Sequence, residues 1–216
     1  MNSFVVIGLG RFGSEIAKRL YSLGKDVLAV DNNSELVNNI ADKVTRAVVA
    51  DSKDIEVLKS LGVAECDCAI VAIGSDFATS VLTTMHLKKL NIKKIVCKAH
   101  DDTHREILNK LGADEIIFPE REIAVKTANV FVSPNILEQI ELSDEYGIVE
   151  CTAPVSWCGK SLKELNVRTK YNVNVIAVKE GGSVNVSPGA DYLIKQTDIL
   201  IMLGDYDDLD KVTNIK

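Results

Sequence analysis

Short apolar runs alternate with amphipathic stretches through the first 120 residues. Residues 4–7, 26–30, 46–50, 68–73, 94–98 and 115–118 are rich in β-branched side chains, and most lack an apolar/polar alternation. That pattern predicts strands covered on both faces, as in a parallel sheet. Between them lie stretches such as residues 14–20, with apolar positions at helical spacing and Gly24 placed as a stop. The alternation predicts an α/β fold: a Rossmann-like, doubly wound parallel sheet with right-handed crossover helices.

After Pro119 the rhythm changes. Residues 120–132 predict one helix, which Ser133-Pro134 breaks. Ser133 then stands as an N-cap and Pro134 at the first position of a second short helix over residues 135–142. From Tyr146 the pattern predicts a strand over 148–153, a helix over 162–168 and a strand over 173–179. A Gly181-Gly182 hairpin turn and strands over 184–187 and 199–203 follow. The expected division is a domain over 1–133, a connector helix over 134–145, and a small α+β domain over 146–216. At about 70 residues the second domain is marginal alone and gains stability by pairing.

With 46% apolar and 26% charged residues, the chain of 216 has an ordinary globular composition and not that of a disordered tail. Its longest purely apolar stretch, residues 68–73, is far short of the roughly 18–20 residues that cross a bilayer. No basic-then-apolar leader precedes residues 4–7, so a soluble, cytoplasmic protein is expected. The net charge is −6, and residues 133–216 carry 8 basic against 13 acidic groups with no Lys/Arg stripe, which argues against nucleic acid as a partner. Five scattered cysteines read as reduced thiols, and Cys66 and Cys68 have no second pair at zinc-ligand spacing.

The chemistry lies in Gly8-Leu9-Gly10-Arg11-Phe12-Gly13, directly after the first strand and before a helix. In that context the first glycine allows a tight turn and the second lets backbone approach a pyrophosphate. The third lets the helix pack on the strand with its N–H groups toward the phosphates. Asp31, followed by Asn32, ends the second strand 18 residues after Gly13, close to the spacing of about 20 at which a carboxylate holds ribose hydroxyls. Ala50-Asp51 ends the third strand and Ile73-Gly74-Ser75 the fourth. Asp51 either meets the adenine edge or caps the next helix through Lys53. Lys98, at the end of the fifth strand, is placed to neutralise phosphate charge. No nucleophile elbow, P-loop lysine motif or kinase signature accompanies the loop. His86 falls on a helix pattern, and His100 and His104 straddle a strand–helix junction without a third ligand type for zinc. The residues describe a ligand site without catalytic groups. A small NAD(H)-dependent oxidoreductase or redox sensor is the alternative that the same loop and Asp31 support.

The glycine loop with its leading Val5-Val6-Ile7, Val27-Leu28-Ala29-Val30-Asp31, and Val71-Ala72-Ile73-Gly74 occur in a characteristic order. Gly112-Ala113-Asp114 with Pro119-Glu120, and Leu142-Ser143-Asp144-Glu145-Tyr146, continue it. Together these motifs resemble the Ktr/Trk potassium-uptake regulators, built from RCK (regulator of potassium conductance) N-terminal and C-terminal domains, and in particular the KtrA/KtrC type. The resemblance covers essentially the whole chain. It implies a non-enzymatic gating subunit, with dimers assembling into an octameric ring on the inner face of the membrane under a potassium-transporting subunit. It implies that ATP and ADP compete for the first domain, with Gly8, Gly10 and Gly13 at the phosphates. Arg11 would reach phosphates, including those of a neighbouring protomer, and Ala50, Asp51, Ile73, Gly74 and Lys98 would flank the adenosine. Glu120 matches a carboxylate that binds a divalent cation at the dimer interface, and is equally a helix-start glutamate. The second domain resembles a cyclic di-AMP receptor over residues 162–168, 172–176 and 187–188. There Arg168 would pair with phosphate, Asn174 would bond base or sugar, and Pro188 would flank them. Lys163 departs from the apolar residue common at its position. Arg168 equally suits a helix C-cap and Asn174 a turn.

Overall fold

The computed structural model describes residues 1–74, 76–132, 135–143 and 145–215, so Ser75, the Ser133-Pro134 breaker and Asp144 lie outside the described residues. The chain divides into two compact units, Met1–Pro119 and Glu120–Lys216. The first runs β1 (Ser3–Ile7), α1 (Arg11–Ser22), β2 (Asp26–Asp31), α2 (Ser34–Asn38), β3 (Arg46–Val49) and α3 (Ile55–Ser60). It continues with β4 (Cys68–Val71), α4 (Phe77–Lys89), β5 (Ile95–Lys98), α5 (Asp102–Lys110) and β6 (Glu115–Ile117). All six expected strands are present and form one parallel sheet in the order β3-β2-β1-β4-β5-β6.

Both faces of that sheet are covered, which is why its strands read as apolar runs without alternation. Val5 and Ile7 point into one core with Leu58, Ile95 and Leu108, while Val6 points into the other with Ala17, Val27 and Ile40. Ile7 is paired with Val30 of β2 on one side and Val71 of β4 on the other. The strand order thus reverses between β1 and β4, and chains leaving their C-terminal ends diverge to leave a crevice.

In the second unit α6 (Pro119–Val132) leads to β7 (Ile136–Glu141), β8 (Tyr146–Thr152), α7 (Leu162–Leu165), α8 (Val167–Tyr171), β9 (Asn174–Glu180), β10 (Ser183–Asn185), β11 (Ile199–Asp205) and α9 (Tyr206–Thr213). Its five strands form an antiparallel sheet in the order β10-β9-β11-β8-β7, over a core that includes Val149, Trp157, Ile194, Leu200 and Met202. The Gly181-Gly182 turn joins β9 to β10 as expected. Both glycines have positive φ, +51° and +95°, which a side chain would strain.

Two expectations fail here. Residues 135–142 are not a connector helix: Ile136–Glu141 is the edge strand β7, paired with β8 through Ile140↔Ile148 and Gln139↔Val149. Its Ile-Leu-x-x-Ile spacing fits a helix, but pairing with the strand that follows outweighs local propensity. The Ser143 hydroxyl accepts the Tyr146 N–H at 3.1 Å and helps to hold the turn. The helix expected over 162–168 is two helices, because Asn166 between them adopts a left-handed conformation with φ +46°. Asparagine tolerates that region better than most residues, and a Ser161–Glu164 capping box starts α7.

Leu200 is fully buried in the second core, so Leu200→Ala should lower stability by about 2–5 kcal/mol. Urea unfolding, with hydrogen exchange to locate the loss in β8, β9 and β11, measures it.

Candidate functional site

The C-terminal ends of β1 to β4 surround a cleft of ≈ 420 Å³. Of the expected positions, Gly8, Gly10, Asp31, Asn32, Ala50, Asp51, Ile73 and Gly74 line it. Leu9, Arg11, Phe12, Gly13 and Lys98 are not part of its lining. The Leu9 side chain packs in the core and offers only its backbone, while Arg11 is exposed on the first turn of α1.

Two glycines make the first turn possible. Gly8 has φ +94°, and its N–H donates to Val30 O at 2.9 Å. A Cβ on Gly13 would lie 1.9 Å from Gly8 O, so α1 starts as close to the end of β1 as backbone allows. Gly10 is the N-cap of α1, and a Cβ there would meet nothing within 4 Å. α1 has no side-chain cap and no acidic residue in its first turn. In contrast, α2, α3, α4 and α5 are each capped by an Asn or Asp side chain. The first N–H groups of a 12-residue helix are therefore left to whatever enters the cleft.

Asp31 faces that helix start. Its Oδ2 accepts the Leu9 N–H at 2.6 Å and its Oδ1 the Asn33 N–H at 2.8 Å, so the carboxylate is locked in place between loop and strand. Asp51 lines the cleft, and its Oδ1 accepts the Lys53 N–H at 3.0 Å. It does not cap the next helix. Asp54 does, accepting the Glu56 N–H at 2.9 Å. The Lys98 ammonium stands 5.7 Å from the Phe12 ring centroid and 3.5 Å from where a Gly74 Cβ would be, a cation set between α1 and the end of β4.

Sequence reasoning missed Asp76, Thr79 and Ser52, which also line the cleft. The Thr79 hydroxyl donates to Asp76 Oδ2 at 2.5 Å and the Thr79 N–H to Oδ1 at 3.0 Å, and these bonds hold the Asp76 carboxyl below the usual carboxylate range. An Asp followed three residues later by Thr ahead of a helical stretch was the available signal, an N-cap pattern.

In the second unit Arg168, Asn174 and Pro188 come together, with Lys163 and Asn166, around a separate cleft of ≈ 470 Å³. Arg168 does not cap a helix ending at 168; α8 continues through it to Tyr171. Glu120 is exposed in the first turn of α6. Among the described residues no three His, Cys, Asp or Glu side chains gather as a metal cage. α6 and β7 bound a groove of ≈ 760 Å³ whose apolar lining includes Val125, Leu137 and Ile140, each exposed. Burial pushes the thiols of Cys97 and Cys151 up to about 11 and about 12, so neither is a thiolate at neutral pH.

The TrkA-N domain family matches residues 4–119 and the TrkA-C domain family residues 148–216. Ktr system potassium uptake protein C of Bacillus subtilis is 44% identical over 208 residues, covering 96% of this chain and 94% of its own. Ktr system potassium uptake protein A of the same organism is 43% identical over 211 residues, covering 98% and 95%. Among solved structures, the GsuK channel superposes with a TM-score of 0.70 at 18% identity, covering 99% of this chain and 39% of the channel chain. At that identity the likeness is one of fold.

Because its Cβ would meet backbone, Gly13→Ala should force the β1–α1 turn open. A loss of at least about 1–3 kcal/mol is expected, read as a lower thermal midpoint and as lost amide protection at residues 8–14.

Proposed function

The chain belongs to the Ktr/Trk family of potassium-uptake regulatory subunits, and we propose that it is a nucleotide-sensing gate, in which adenine nucleotide in the first-unit cleft sets the conducting state of a membrane potassium-transporting subunit. It is not an enzyme; its close relatives are potassium-uptake proteins. No helix among the described residues is long and apolar enough to cross a membrane. We place the protein in the cytoplasm, held at the inner face of the membrane by its partner.

One observation carries the ligand class. The single uncapped helix start among α1–α5 opens into a cleft at the strand-order reversal, with a fixed carboxylate across from it. Amides at the helix start suit phosphate oxygens, Asp31 suits ribose hydroxyls, and Asp31 repels a 2′-phosphate. ATP and ADP differ by one charged group, which Arg11 on the exposed first turn of α1 can pair with, in its own protomer or a neighbour's. Only a ligand with unequal affinity for two assembly shapes shifts their balance, so the γ-phosphate is the discriminating element. NADH shares the adenosine half and competes for the same cleft.

We assign the apolar groove of α6 and β7 to pairing with a second copy, and dimers to an octameric ring. To Glu120 we assign a divalent cation at the interface between two protomers. The second cleft, with Arg168 and Asn174 at one rim, is assigned to cyclic di-AMP.

Asp31→Ala is expected to abolish adenine-nucleotide binding while the protein stays folded, and Arg11→Ala to narrow the ATP/ADP affinity difference more than it weakens ADP. Calorimetric titration of ATP, ADP and NADH into protein of known oligomeric state decides both; retained affinity in Asp31→Ala, or an unchanged ratio in Arg11→Ala, counts against the assigned roles. Arg168→Ala should weaken cyclic di-AMP by roughly tenfold or more, since a charge-assisted hydrogen bond is worth about 1.5–3 kcal/mol. It should leave ADP affinity unchanged.

A further inference from the structure

Two imidazoles of the first unit lie outside the clefts described above. His104, in the first turn of α5, is 0% exposed, and its Nδ1 lies 2.7 Å from His100 Nδ1. On its far side His100 Nε2 lies 3.1 Å from Asp101 Oδ2, and Asp101 Oδ1 accepts the His104 backbone N–H at 2.7 Å. His104 Nε2 is buried with no hydrogen-bond partner. Phe77, the first residue of α4, packs on both rings, its centroid 6.1 Å from that of His100 and 5.0 Å from that of His104. The carboxylate meets His100 on the nitrogen opposite His104, so the three groups do not converge on a point as metal ligands do.

An Nδ1···Nδ1 contact this short is a hydrogen bond only when one nitrogen carries a hydrogen and the other is bare. In the neutral pair His100 donates through Nε2 to Asp101, and its bare Nδ1 accepts from His104 Nδ1–H. An added proton must end on His104 Nε2, buried with no acceptor, or sit between the two Nδ1 atoms, where it removes the lone pair the bond needs. The groups facing His104 from the β5–α5 loop are His100 and Asp101; from α4 it is the uncharged Phe77 ring. Burial is the largest influence and lowers the pKa of His104, and His100 lowers it further against the opposing effect of Asp101.

We propose that the His100–His104–Phe77 cluster is a proton-operated latch on the nucleotide cleft: the bonded pair clamps the start of α4, and acidification opens it and weakens nucleotide binding. Asp76, which precedes Phe77, and Thr79, two residues after it, both line that cleft, so a shift at the start of α4 moves its wall. The inference rests on the nucleotide reading of the site. Its sign follows from linkage. The closed form resists the proton, the opened form takes it near the ordinary imidazole value of about 6.5, and falling pH therefore favours the opened form.

The test compares the full-length protein with His100→Gln, a change at a side chain 38% exposed, because replacing fully buried His104 endangers the fold. ADP affinity is measured by calorimetry between about pH 8 and about pH 5.5, a range that brackets imidazole titration; the titration of ADP itself is common to both proteins. The wild type should lose about tenfold more affinity than the variant over that range, the linkage of one proton over one unit. Parallel profiles overturn the latch alone, whereas failure of ADP to bind at pH 8 overturns the nucleotide reading and the latch with it. Nitrogen NMR of the ligand-free wild type supplies a second readout: a proton shared between the two Nδ1 atoms supports the pair, and two rings titrating independently overturn it.

Discussion

The approach of α1 to the end of β1 sets the geometry of the first unit. Gly13 sits where any side chain would collide with the Gly8 carbonyl, and Gly8 must turn with positive φ to leave the strand at all. From that contact follow the direction of α1, the position of Leu9 in the core below it, and the distance from Leu9 N–H to the Asp31 carboxylate. The sheet order then places the ends of β2, β3 and β4 around the same point. Backbone geometry, more than any functional side chain, builds the cleft.

Electrostatics divides the rim of that cleft into committed and uncommitted groups. The caps of α2 to α5 occupy the amides of those helices with Asn33, Asp54, Asp76 and Asp101. Asp31, Asp51 and Asp76 all line the space, while Lys98 stands at its edge beside Phe12. A site so acidic would repel a polyphosphate unless the amides of α1 and the nearby cations faced it. Recognition by backbone and charge suits a receptor whose ligand acts by staying bound.

The first unit was legible because its signals are local and agree: unalternating apolar runs, Gly-x-Gly-x-x-Gly between strand and helix, an acid at the end of the next strand. β7 was not legible, since its apolar spacing fits a helix and its pairing with β8 depends on a turn whose register no local pattern specifies. The break at Asn166 was equally hidden, because a helix interrupted by one left-handed residue has the same periodicity on both sides. In the cleft the loop and strand ends were found by spacing. Asp76 and Thr79 were not found because the wall they form exists only after α4 has docked on the sheet.

The bare amides of α1 bear on how the protein stands up to heat. A helix whose opening turn lacks a cap is prone to fray there, and an anion seated on it completes the bonding that its neighbours obtain from their own side chains. Occupancy would then stiffen that corner of the fold and raise its resistance to unfolding in proportion to the logarithm of ligand supply. With the cleft empty, the same molecule would be softer.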